Sequence, residues 1–372
     1  MQHPARTMPF AELWAGLQAA RTAGLVLMRQ DADTGRSLWC YTTRCVYEGG
    51  WDDFSLLARG LVLHEGTQQV VATPFPKFFN LGERGQVIPD LPFEVFEKLD
   101  GSLVIIHFHE GRWHAATKGA FDSPQALWAE ARLAQQDLSA LQPGTTYLAE
   151  AIYPENRIVI AYAEPALVLL AAYDETGVEL ETEALQTVSA ALAWRMAERY
   201  HYDSFAALVA DAHRLPASRE GFVIRFADGL RLKVKGAEYR RIHALISHCT
   251  PLALWEAWAA GDDLNAIRRE LPEEFWSDFD SITTLLQQAM AAFTARITKA
   301  VANVASLNDK ELGLSLAEQP EAIRSFLFPW RKSDGNLTGK NREALFRAIR
   351  PTGNILAGYT PSYAMKRVAE EL

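Results

Sequence analysis

The chain changes its hydrophobic period part way along, and this change limits the folds open to it. Up to about Tyr239, short β-rich runs alternate with a few helical stretches. We predict helices in this part at 9–22, 123–136 and 182–199. Beyond Leu252 the apolar residues recur with a helical period, most clearly over 275–305 and again in the last dozen residues. The sequence therefore predicts an α+β domain built on antiparallel sheets, residues 1–245, followed by a mainly α-helical domain, residues 246–372.

Composition places the chain among globular proteins. The chain has 372 residues, of which 49% are hydrophobic and 22% are charged. A chain of this length and composition can bury a full hydrophobic core, and the length suggests two domains. No apolar run approaches the roughly 18 residues that a membrane span needs, and the N-terminus lacks the basic start and apolar centre of a signal peptide. Cys40, Cys45 and Cys249 give neither a disulfide framework nor paired zinc spacing. We expect a cytoplasmic protein that does not enter membranes.

One lysine stands at a tight turn within the run Phe93–Val104. The sequence Lys98-Leu99-Asp100-Gly101 places it directly before an Asp-Gly pair. Such a turn can present an amine as a nucleophile to phosphorus, but a lysine attacks only when neutral. Its pKa must therefore be lowered by desolvation or by nearby positive charge. Taken alone, the pattern also fits a hairpin turn with a surface lysine.

Further charged residues stand at the ends of strand-like runs on both sides of this turn. Arg59-Gly60 opens Leu61-Val62-Leu63, Glu220-Gly221 opens Phe222–Phe226, and Glu150 closes Thr145–Ala149. Lys77, Lys118, Lys233 and Lys235 complete the set. Strand alternation places Lys233 and Lys235 on one face, about 7 Å apart. Facing a pocket, the pair would hold a polyphosphate and depress the pKa of a third lysine.

Asp228-Gly229 indicates a hairpin but leaves its register open. A two-residue turn would pair Lys235 with Phe222 and Lys233 with Ile224. A three-residue turn that ends in a glycine bulge would pair Lys233 with Val223 instead. The sequence does not choose between them.

In their order along the chain, these residues resemble the covalent nucleotidyltransferases, most closely the ATP-dependent RNA ligases of bacteriophage type that repair tRNA. The resemblance runs from about Leu56 to Tyr239. Its most specific parts are Lys77–Leu81, Lys98–Val104, Asn156–Tyr162 and Glu220–Val223. DNA ligases and capping enzymes usually carry an arginine shortly after the glycine of the lysine motif. Here Ser102-Leu103 follows instead, and the candidate arginine, Arg59, lies upstream.

The resemblance implies a reaction and a role for each charged residue. Lys98 would attack the α-phosphorus of ATP and become lysyl-AMP, which would then pass to the RNA end as an RNA-adenylate. Arg59 and Lys77 would hold the β- and γ-phosphates, and Lys118 would contact the nucleotide site. Lys233 and Lys235 would neutralise the α-phosphate.

The carboxylates and two uncharged residues complete the implied nucleotide site. Glu150 would accept hydrogen bonds from the ribose hydroxyls, and Glu220 would hold Mg²⁺, for which Mn²⁺ could substitute. Val223 would pack on the adenine face, a role that Tyr173 could share. The same residues also fit solvated strand ends, for Glu150 and Glu220, and core packing, for Val223 and Tyr173.

RNA binding has to be local, because the net charge of the chain is −9. Between Ile323 and Arg350 the sequence has a local net charge of +5. We call the seven basic residues of this region the basic stretch: Arg324, Arg331, Lys332, Lys340, Arg342, Arg347 and Arg350. It is a candidate RNA-binding surface, although it also fits a solvated helix and loop. The resemblance implies RNA with 3′-hydroxyl and 5′-phosphate ends as substrate, cleaved tRNA among them, prepared by an end-healing kinase or phosphatase.

Two other functions stay open from the sequence. One is another covalent nucleotidyltransferase, such as a DNA ligase or a capping guanylyltransferase, and the other is an inactive module that binds RNA ends.

Two further motifs give only weak indications of function. Gly335–Asn341 has the wrong glycine spacing for a phosphate-binding loop, and we predict a turn followed by a helix that Thr338 caps. His107 and His109 share a strand face without a third metal ligand nearby in the sequence.

Overall fold

The computed structural model describes residues 2–271 and 275–361, and its contacts divide the chain into two compact units, 1–241 and 242–371. The first unit contains all the strands of the described residues. They are β1 (Val26–Asp31), β2 (Arg36–Tyr41), β3 (Arg59–His64), β4 (Gln69–Ala72), β5 (Phe79–Asn80), β6 (Phe93–Lys98), β7 (Ser102–His109), β8 (Arg112–Thr117), β9 (Thr146–Ile152), β10 (Ala166–Tyr173), β11 (Arg195–Met196), β12 (Arg199–Tyr200), β13 (Gly221–Phe226) and β14 (Arg231–Lys235).

The described strands form three sheets. The first has the order β1-β2-β3-β4, the second β11-β10-β9-β7-β8, and the third β12-β6-β13-β14-β5. Neighbouring strands are antiparallel except in two short pairs, β10 with β11 and β14 with β5. The prediction of an α+β fold on antiparallel sheets is therefore confirmed.

Helices of the first unit lie between the strands and cover the sheets. They are α1 (Pro4–Thr7), α2 (Phe10–Thr22), α3 (Thr43–Glu48), α4 (Asp53–Leu57), α5 (Pro124–Leu133), α6 (Thr182–Leu192), α7 (Phe205–Ala212) and α8 (Ala237–Ser247), which begins here. Leu133 of α5 and Leu185 of α6 share a buried core with Tyr147 and Leu169 of the second sheet.

The third sheet buries one face only. Phe222 and Ile224 of β13 pack with Leu208 of α7, as the alternation of apolar and polar residues in the strand requires. Val223 and Arg225 lie on the opposite face, which is less buried. This opposite face carries the charged residues of the candidate site.

The helices over 9–22 and 123–136 form close to where we predicted them, but the third prediction was too long. The helix that begins at Thr182 ends at Leu192, because Ala193 takes a left-handed conformation with φ of 51°. The chain then adds Arg195–Met196 to the edge of β10 as a parallel strand. Pairing with the sheet overrides the helical period of this segment.

The second unit consists of helices, as the period predicted. They are α9 (Pro251–Ala260), α10 (Leu264–Glu270), α11 (Trp276–Asn303), α12 (Asp309–Ser315), α13 (Glu321–Arg324), α14 (Leu327–Ser333) and α15 (Gly339–Ala348), after the end of α8. Ile297, Leu312 and Leu327 are fully buried among them. The predicted turn before α15 is present, but the side chain of Thr338 makes no capping hydrogen bond.

The helix predicted for the last dozen residues falls at 362–372, outside the described residues. Among the described residues, no helix combines the length and the apolar character needed to cross a membrane.

Candidate active site

The lysine turn joins the third sheet to the second. Lys98 ends β6, Ser102 begins β7, and only three residues connect them. Leu99 is buried against Ile152 and Val168. A Cβ atom added to Gly101 would lie 2.6 Å from the carbonyl oxygen of Ala151, so this position needs a glycine.

Asp100 ties this turn to two distant parts of the chain. Its side chain is buried, and Oδ2 accepts hydrogen bonds from the backbone N–H groups of Val159 (2.8 Å) and Ile160 (2.7 Å). The Tyr239 hydroxyl donates to Oδ1 at 2.8 Å. The Asp100 backbone N–H donates to the Tyr162 hydroxyl, also at 2.8 Å. Burial and the Glu220 carboxylate raise the pKa of Asp100, and its three hydrogen bonds oppose that shift.

The hairpin takes the three-residue turn, so Val223 pairs with Lys233 and Gly221 pairs with Lys235. On its other side, Gly221 pairs with Lys98. The three lysines therefore share one sheet face, as the alternation predicted for Lys233 and Lys235. Gly221 has φ of 147°, and an added Cβ atom would lie 2.1 Å from the carbonyl oxygen of Val234.

Glu220 lies buried between two of these lysines. Its Oε2 atom is 2.8 Å from Nζ of Lys98, and its Oε1 atom is 3.0 Å from Nζ of Lys235. Burial alone would raise the pKa of Glu220, but the two ammonium groups outweigh it and hold this pKa below its ordinary value. Glu220 is therefore a carboxylate that both lysines neutralise.

The expectation of a depressed Lys98 pKa was wrong for the protein without ligands. Burial lowers the pKa of Lys98, but the carboxylates of Glu220, Glu150 and Asp100 outweigh it, and the net direction is upward. On this sheet face, the lysine with the depressed pKa is Lys233. Burial and the charges of Arg59 and its lysine neighbours lower this pKa well below its ordinary value. Lys233 has no carboxylate partner among the described residues, and its Nζ atom lies 4.7 Å from the centre of the Phe78 ring.

Arg59, Lys77 and Lys118 gather beside Lys233 on a set of aromatic rings. The guanidinium of Arg59 lies 5.1 Å from the centre of the Phe78 ring, which Lys233 also contacts. Its Nη1 atom is buried and has no hydrogen-bond partner among the described residues. We call Arg59, Lys77, Lys118 and Lys233 the cation cluster. A partly buried cluster of cations with an unused donor is suited to a polyanion.

Three rings surround the ammonium group of Lys77. Its Nζ atom lies 5.2 Å from the centres of the Tyr41, Trp51 and Phe79 rings, and Nζ of Lys118 lies 5.7 Å from the Tyr41 ring. Burial, together with neighbouring cations, lowers the pKa of Lys77. Sequence analysis missed Tyr41 and Trp51, since both precede the motifs on which the resemblance rests.

Glu150 lies inside β9 rather than at the end of the strand, two residues before Ile152. Its Oε1 atom accepts a hydrogen bond from the backbone N–H of Gly101 at 3.2 Å. The strand therefore continues past the run that we had assigned to it, and it brings Glu150 against the lysine turn.

The structure separates the two residues considered for the adenine face. Val223 of β13 lies directly opposite Lys233 of β14, on the sheet face of the candidate site. Tyr173 is buried against His3 and Phe75, and burial raises its pKa to about 12. These contacts are those of a packing residue, and Tyr173 also lines a cavity together with Lys77.

A cavity of about 900 Å³ lies next to the cation cluster but does not include Lys98, Glu150 or Glu220 among its lining residues. Lys77, Phe78 and Arg231 are among the residues that line it. Lys98, Glu150 and Glu220 therefore converge beside this cavity rather than inside it. Among the described residues, no three His, Cys, Asp or Glu side chains are placed to hold a metal ion.

The basic stretch is only partly available to a ligand. Arg331 donates to the carbonyl oxygen of Leu307 at 2.8 Å, and Arg342 donates to that of Ala259 at 2.7 Å. Arg350 stacks on a tryptophan ring and lies 3.9 Å from a glutamate. The exposed members with no ion pair in the described part of the chain are Arg324, Lys332, Lys340 and Arg347. Backbone carbonyl oxygens thus occupy two of the arginines, and RNA binding by the stretch stays a prediction.

Comparison with known proteins adds a family to this geometry. A family model described as RNA ligase matches residues 57–239. A putative RNA ligase of Thermovibrio ammonificans is 32% identical over 208 residues, an alignment that covers 50% of this chain and 52% of that protein. RNA ligase 1 of bacteriophage TS2126 is 31% identical over 179 residues, which covers 42% and 43% of the two chains.

A third relative combines two activities in its description. The putative bifunctional polynucleotide kinase/RNA ligase of Autographa californica nuclear polyhedrosis virus is 29% identical over 216 residues, which covers 50% of this chain and 30% of that protein. This chain therefore spans about half or less of the length of these three relatives.

Proposed function

Since the chain belongs to the phage-type RNA ligase family of covalent nucleotidyltransferases, we propose that it joins RNA ends at the expense of ATP, with Lys98 as the nucleophile. The observation that carries this proposal is the position of Lys98. Its ammonium group lies at a turn fixed by Asp100, beside Glu220, on the sheet face of Lys233 and Lys235. The cation cluster adjoins the same face.

In the proposed reaction, neutral Lys98 attacks the α-phosphorus of ATP. A P–N bond forms, the bond from the α-phosphorus to the bridging oxygen breaks, and pyrophosphate leaves with the electron pair. Negative charge grows on that leaving group, so the donors should surround it. Arg59, Lys77 and Lys118 are assigned to the β- and γ-phosphates, and the unused Nη1 atom of Arg59 supports this assignment.

Lys233 and Lys235 are assigned to the α-phosphate. Two ammonium groups at neighbouring positions on one strand face can contact non-bridging oxygens and hold the phosphorus in line with Lys98. Lys233 in the free protein is crowded by cations. An anionic phosphate relieves that crowding, so ligand binding should raise the pKa of Lys233.

Glu150 is assigned to the ribose hydroxyls and Val223 to the adenine face. Glu220 offers a buried hard oxygen ligand, and the described residues contain no three-ligand cage around it. This donor set fits Mg²⁺, or Mn²⁺ in its place, because such ions bind through one or two carboxylates together with substrate phosphates. When bound, the ion would neutralise charge on the transferring phosphate.

The RNA substrate follows from the chemistry of lysyl-AMP. Transfer of AMP to a 5′-phosphate gives an RNA-adenylate, and attack by a 3′-hydroxyl releases AMP and forms the phosphodiester. Ends left by RNA cleavage, including cleaved tRNA, would need a kinase or phosphatase to supply these groups. The baculovirus relative, described as a kinase and ligase in one chain, supports such pairing. RNA repair in the cytoplasm is the corresponding biological role.

Incubation with α-labelled ATP or α-labelled GTP, each with a divalent cation, tests the proposed function. We expect label to stay on the protein through denaturing electrophoresis with ATP only, and to move to a 5′-phosphorylated RNA when that is added. Labelling by GTP would indicate a capping enzyme. Transfer to nicked DNA in preference to RNA would indicate a DNA ligase, and no label with either nucleotide would indicate a module that only binds.

For the domains, we propose that residues 1–245 carry out adenylyl transfer and that 246–372 engage RNA through the exposed members of the basic stretch. Replacement of Arg324, Lys332, Lys340 and Arg347 by Gln should weaken RNA binding and leave lysyl-AMP formation intact. Phosphate contacts release counterions, so the slope of log affinity against log salt should flatten by about 0.7 to 0.9 per lost contact. RNA affinity measured over a salt series checks this.

A matched control removes the same charge elsewhere in the helical unit. Arg269, Arg296, Lys299 and Lys310 are exposed and lie outside the basic stretch. Their replacement by Gln changes net charge equally, and we expect a smaller change in slope. Equal slopes for the two quadruple variants would mean that net charge alone, rather than this surface, governs RNA binding.

A further inference from the structure

We propose that the irregular segment Asn156–Tyr162, which we call the clasp, holds the lysine turn in its reactive position, with the Tyr162 hydroxyl as a positioning group. The inference rests on the proposed function, because it concerns the placement of Lys98 for adenylyl transfer. Neither the mechanism above nor the sequence motifs assign a role to this hydroxyl.

The clasp contacts the turn at its backbone and at its central side chain. The Tyr162 hydroxyl accepts the hydrogen bond of the Asp100 backbone N–H at 2.8 Å. The backbone N–H groups of Val159 and Ile160 donate to one carboxylate oxygen of Asp100. Asp100 is thus held by the clasp from both its main chain and its side chain. Asp100 lies two residues from the Lys98 nucleophile.

A second contact fixes the clasp itself to the sheet beneath. The Asn156 side chain is buried, and its amide donates to the carbonyl oxygen of Ala151 in β9. The Tyr162 ring packs with Leu99 and Ile152, next to the same turn. The clasp therefore connects the turn to the strand that carries Glu150.

The lysine turn is also held by the hydrogen bond from the Tyr239 hydroxyl to Asp100 and by that from the Gly101 N–H to Glu150, but the Tyr162 hydroxyl is the partner of the Asp100 backbone N–H. The three connecting residues of the turn, 99–101, belong neither to β6, which ends at Lys98, nor to β7, which begins at Ser102. Removing the Tyr162 hydroxyl would leave the Asp100 N–H without its partner, in a site where water has little access. Burial also raises the pKa of Tyr162, so the hydroxyl stays neutral and keeps its acceptor lone pair at ordinary pH.

Position matters because the proposed attack is in line. A displacement of about 1 Å in a nucleophile can cost about 10²-fold in rate. In the free protein the Lys98 ammonium is also held by Glu220 at 2.8 Å. A shifted turn would therefore change two measurable properties of Lys98, its rate of adenylation and its pKa.

The test compares Tyr162→Phe with Tyr147→Phe in the full chain. Tyr147 is a matched control, because it is buried and its hydroxyl likewise accepts a backbone N–H, that of Gln142 at 3.0 Å. Tyr162→Phe keeps the packed ring and removes only the oxygen. We expect its single-turnover rate of lysyl-AMP formation to fall by about 10- to 100-fold, with half-saturation by ATP changed less than twofold. Tyr147→Phe should stay within about threefold of wild type.

A readout that needs no adenylation accompanies the rates. Acylation of Lys98 by an amine-reactive reagent, followed by mass spectrometry over a pH series, reports the pKa of Lys98. In Tyr162→Phe the midpoint should move to lower pH, because a shifted turn weakens the ion pair with Glu220. In Tyr147→Phe the midpoint should not move.

The outcomes separate this inference from the proposed function. Wild-type protein that forms no lysyl-AMP would overturn the proposed function, whatever the Lys98 midpoint does. Wild-type protein that labels, with Tyr162→Phe equal to it in rate and midpoint, would overturn the positioning role alone. Equal losses in Tyr162→Phe and Tyr147→Phe, with equal loss of thermal stability, would reduce the hydroxyl to a stabilising contact and would also overturn it.

Discussion

Lys98→Ala should form no covalent adduct with AMP, while it still seals RNA that arrives already adenylated. The alanine variant has no amine to attack the α-phosphorus, but the sealing step uses the 3′-hydroxyl of the RNA as its nucleophile. The expected loss in adenylation is therefore complete, and the expected loss in sealing of pre-adenylated RNA is small by comparison. Electrophoresis with α-labelled ATP and a gel assay with pre-adenylated RNA measure the two steps.

Lys98→Arg provides the control for structure. A guanidinium can keep the ion pair with Glu220 that Lys98 makes at 2.8 Å, yet it stays protonated and cannot act as a nucleophile. We expect Lys98→Arg to lack the adduct as well, with stability closer to wild type. An acid-labile, hydroxylamine-sensitive AMP adduct on either variant would show that another residue is the nucleophile.

The sequence was sufficient for the fold class because its signals are local. The change from short β-rich runs to a helical period separates the sheets from the helical unit, and strand alternation placed Lys233 and Lys235 on one face. The resemblance to the phage-type RNA ligases is confirmed by the match over residues 57–239. The hydrophobic period, the strand alternation and the motifs of the resemblance could be recognised because each depends on neighbours within a few residues.

Features that depend on distant contacts were not predictable. The hairpin register follows from hydrogen bonds between Phe226 and Leu230 with Gly229 in a left-handed conformation, a choice that Asp228-Gly229 permits but does not impose. The segment after Leu192 becomes a strand because β10 offers it an edge. Neither partner can be identified from the local pattern.

The direction in which the pKa of each lysine shifts could not be predicted from the sequence, for a similar reason. We expected positive neighbours to depress the pKa of Lys98, but Glu220 lies between Lys98 and Lys235 and reverses the sign. The same crowding of cations depresses the pKa of Lys233, which has no carboxylate partner in the described part of the chain. Lys233 and Lys235 are neighbours on one face of β14, and this single step along the strand decides which of them lies next to the Glu220 carboxylate.

Glu220→Gln should lower the pKa of Lys98 and abolish most of the adenylyl transfer. In wild type without ligands, the Glu220 carboxylate is the largest of the influences that raise this pKa, against the opposing effect of burial. With glutamine, burial and the neighbouring ammonium groups remain and the carboxylate is gone. The neutral fraction of Lys98 at a given pH should therefore increase, and its acylation profile should move to lower pH.

The rate should nevertheless fall, because Glu220 is also the proposed ligand of the divalent cation and the counter-ion of Lys235. Loss of one preorganised electrostatic group at a site of phosphoryl transfer costs about 10²- to 10³-fold. The variant thus separates two effects that act in opposite directions, a more reactive amine and a slower reaction. Acylation of Lys98 measures the first, and single-turnover labelling by ATP measures the second.

Glu179→Gln is the matched control for this experiment. Glu179 is also a poorly exposed carboxylate between two cations, Arg225 and Arg231, and it lies outside the candidate site. Glu220→Gln removes the carboxylate between Lys98 and Lys235, and Glu179→Gln removes the carboxylate partner of Arg231 while Arg225 keeps Glu94, so both substitutions should destabilise the fold. Only Glu220→Gln should move the acylation profile of Lys98. If the two variants leave that profile equally unchanged, Glu220 does not control the ionisation of Lys98, and the upward direction of its pKa must come from Glu150 and Asp100.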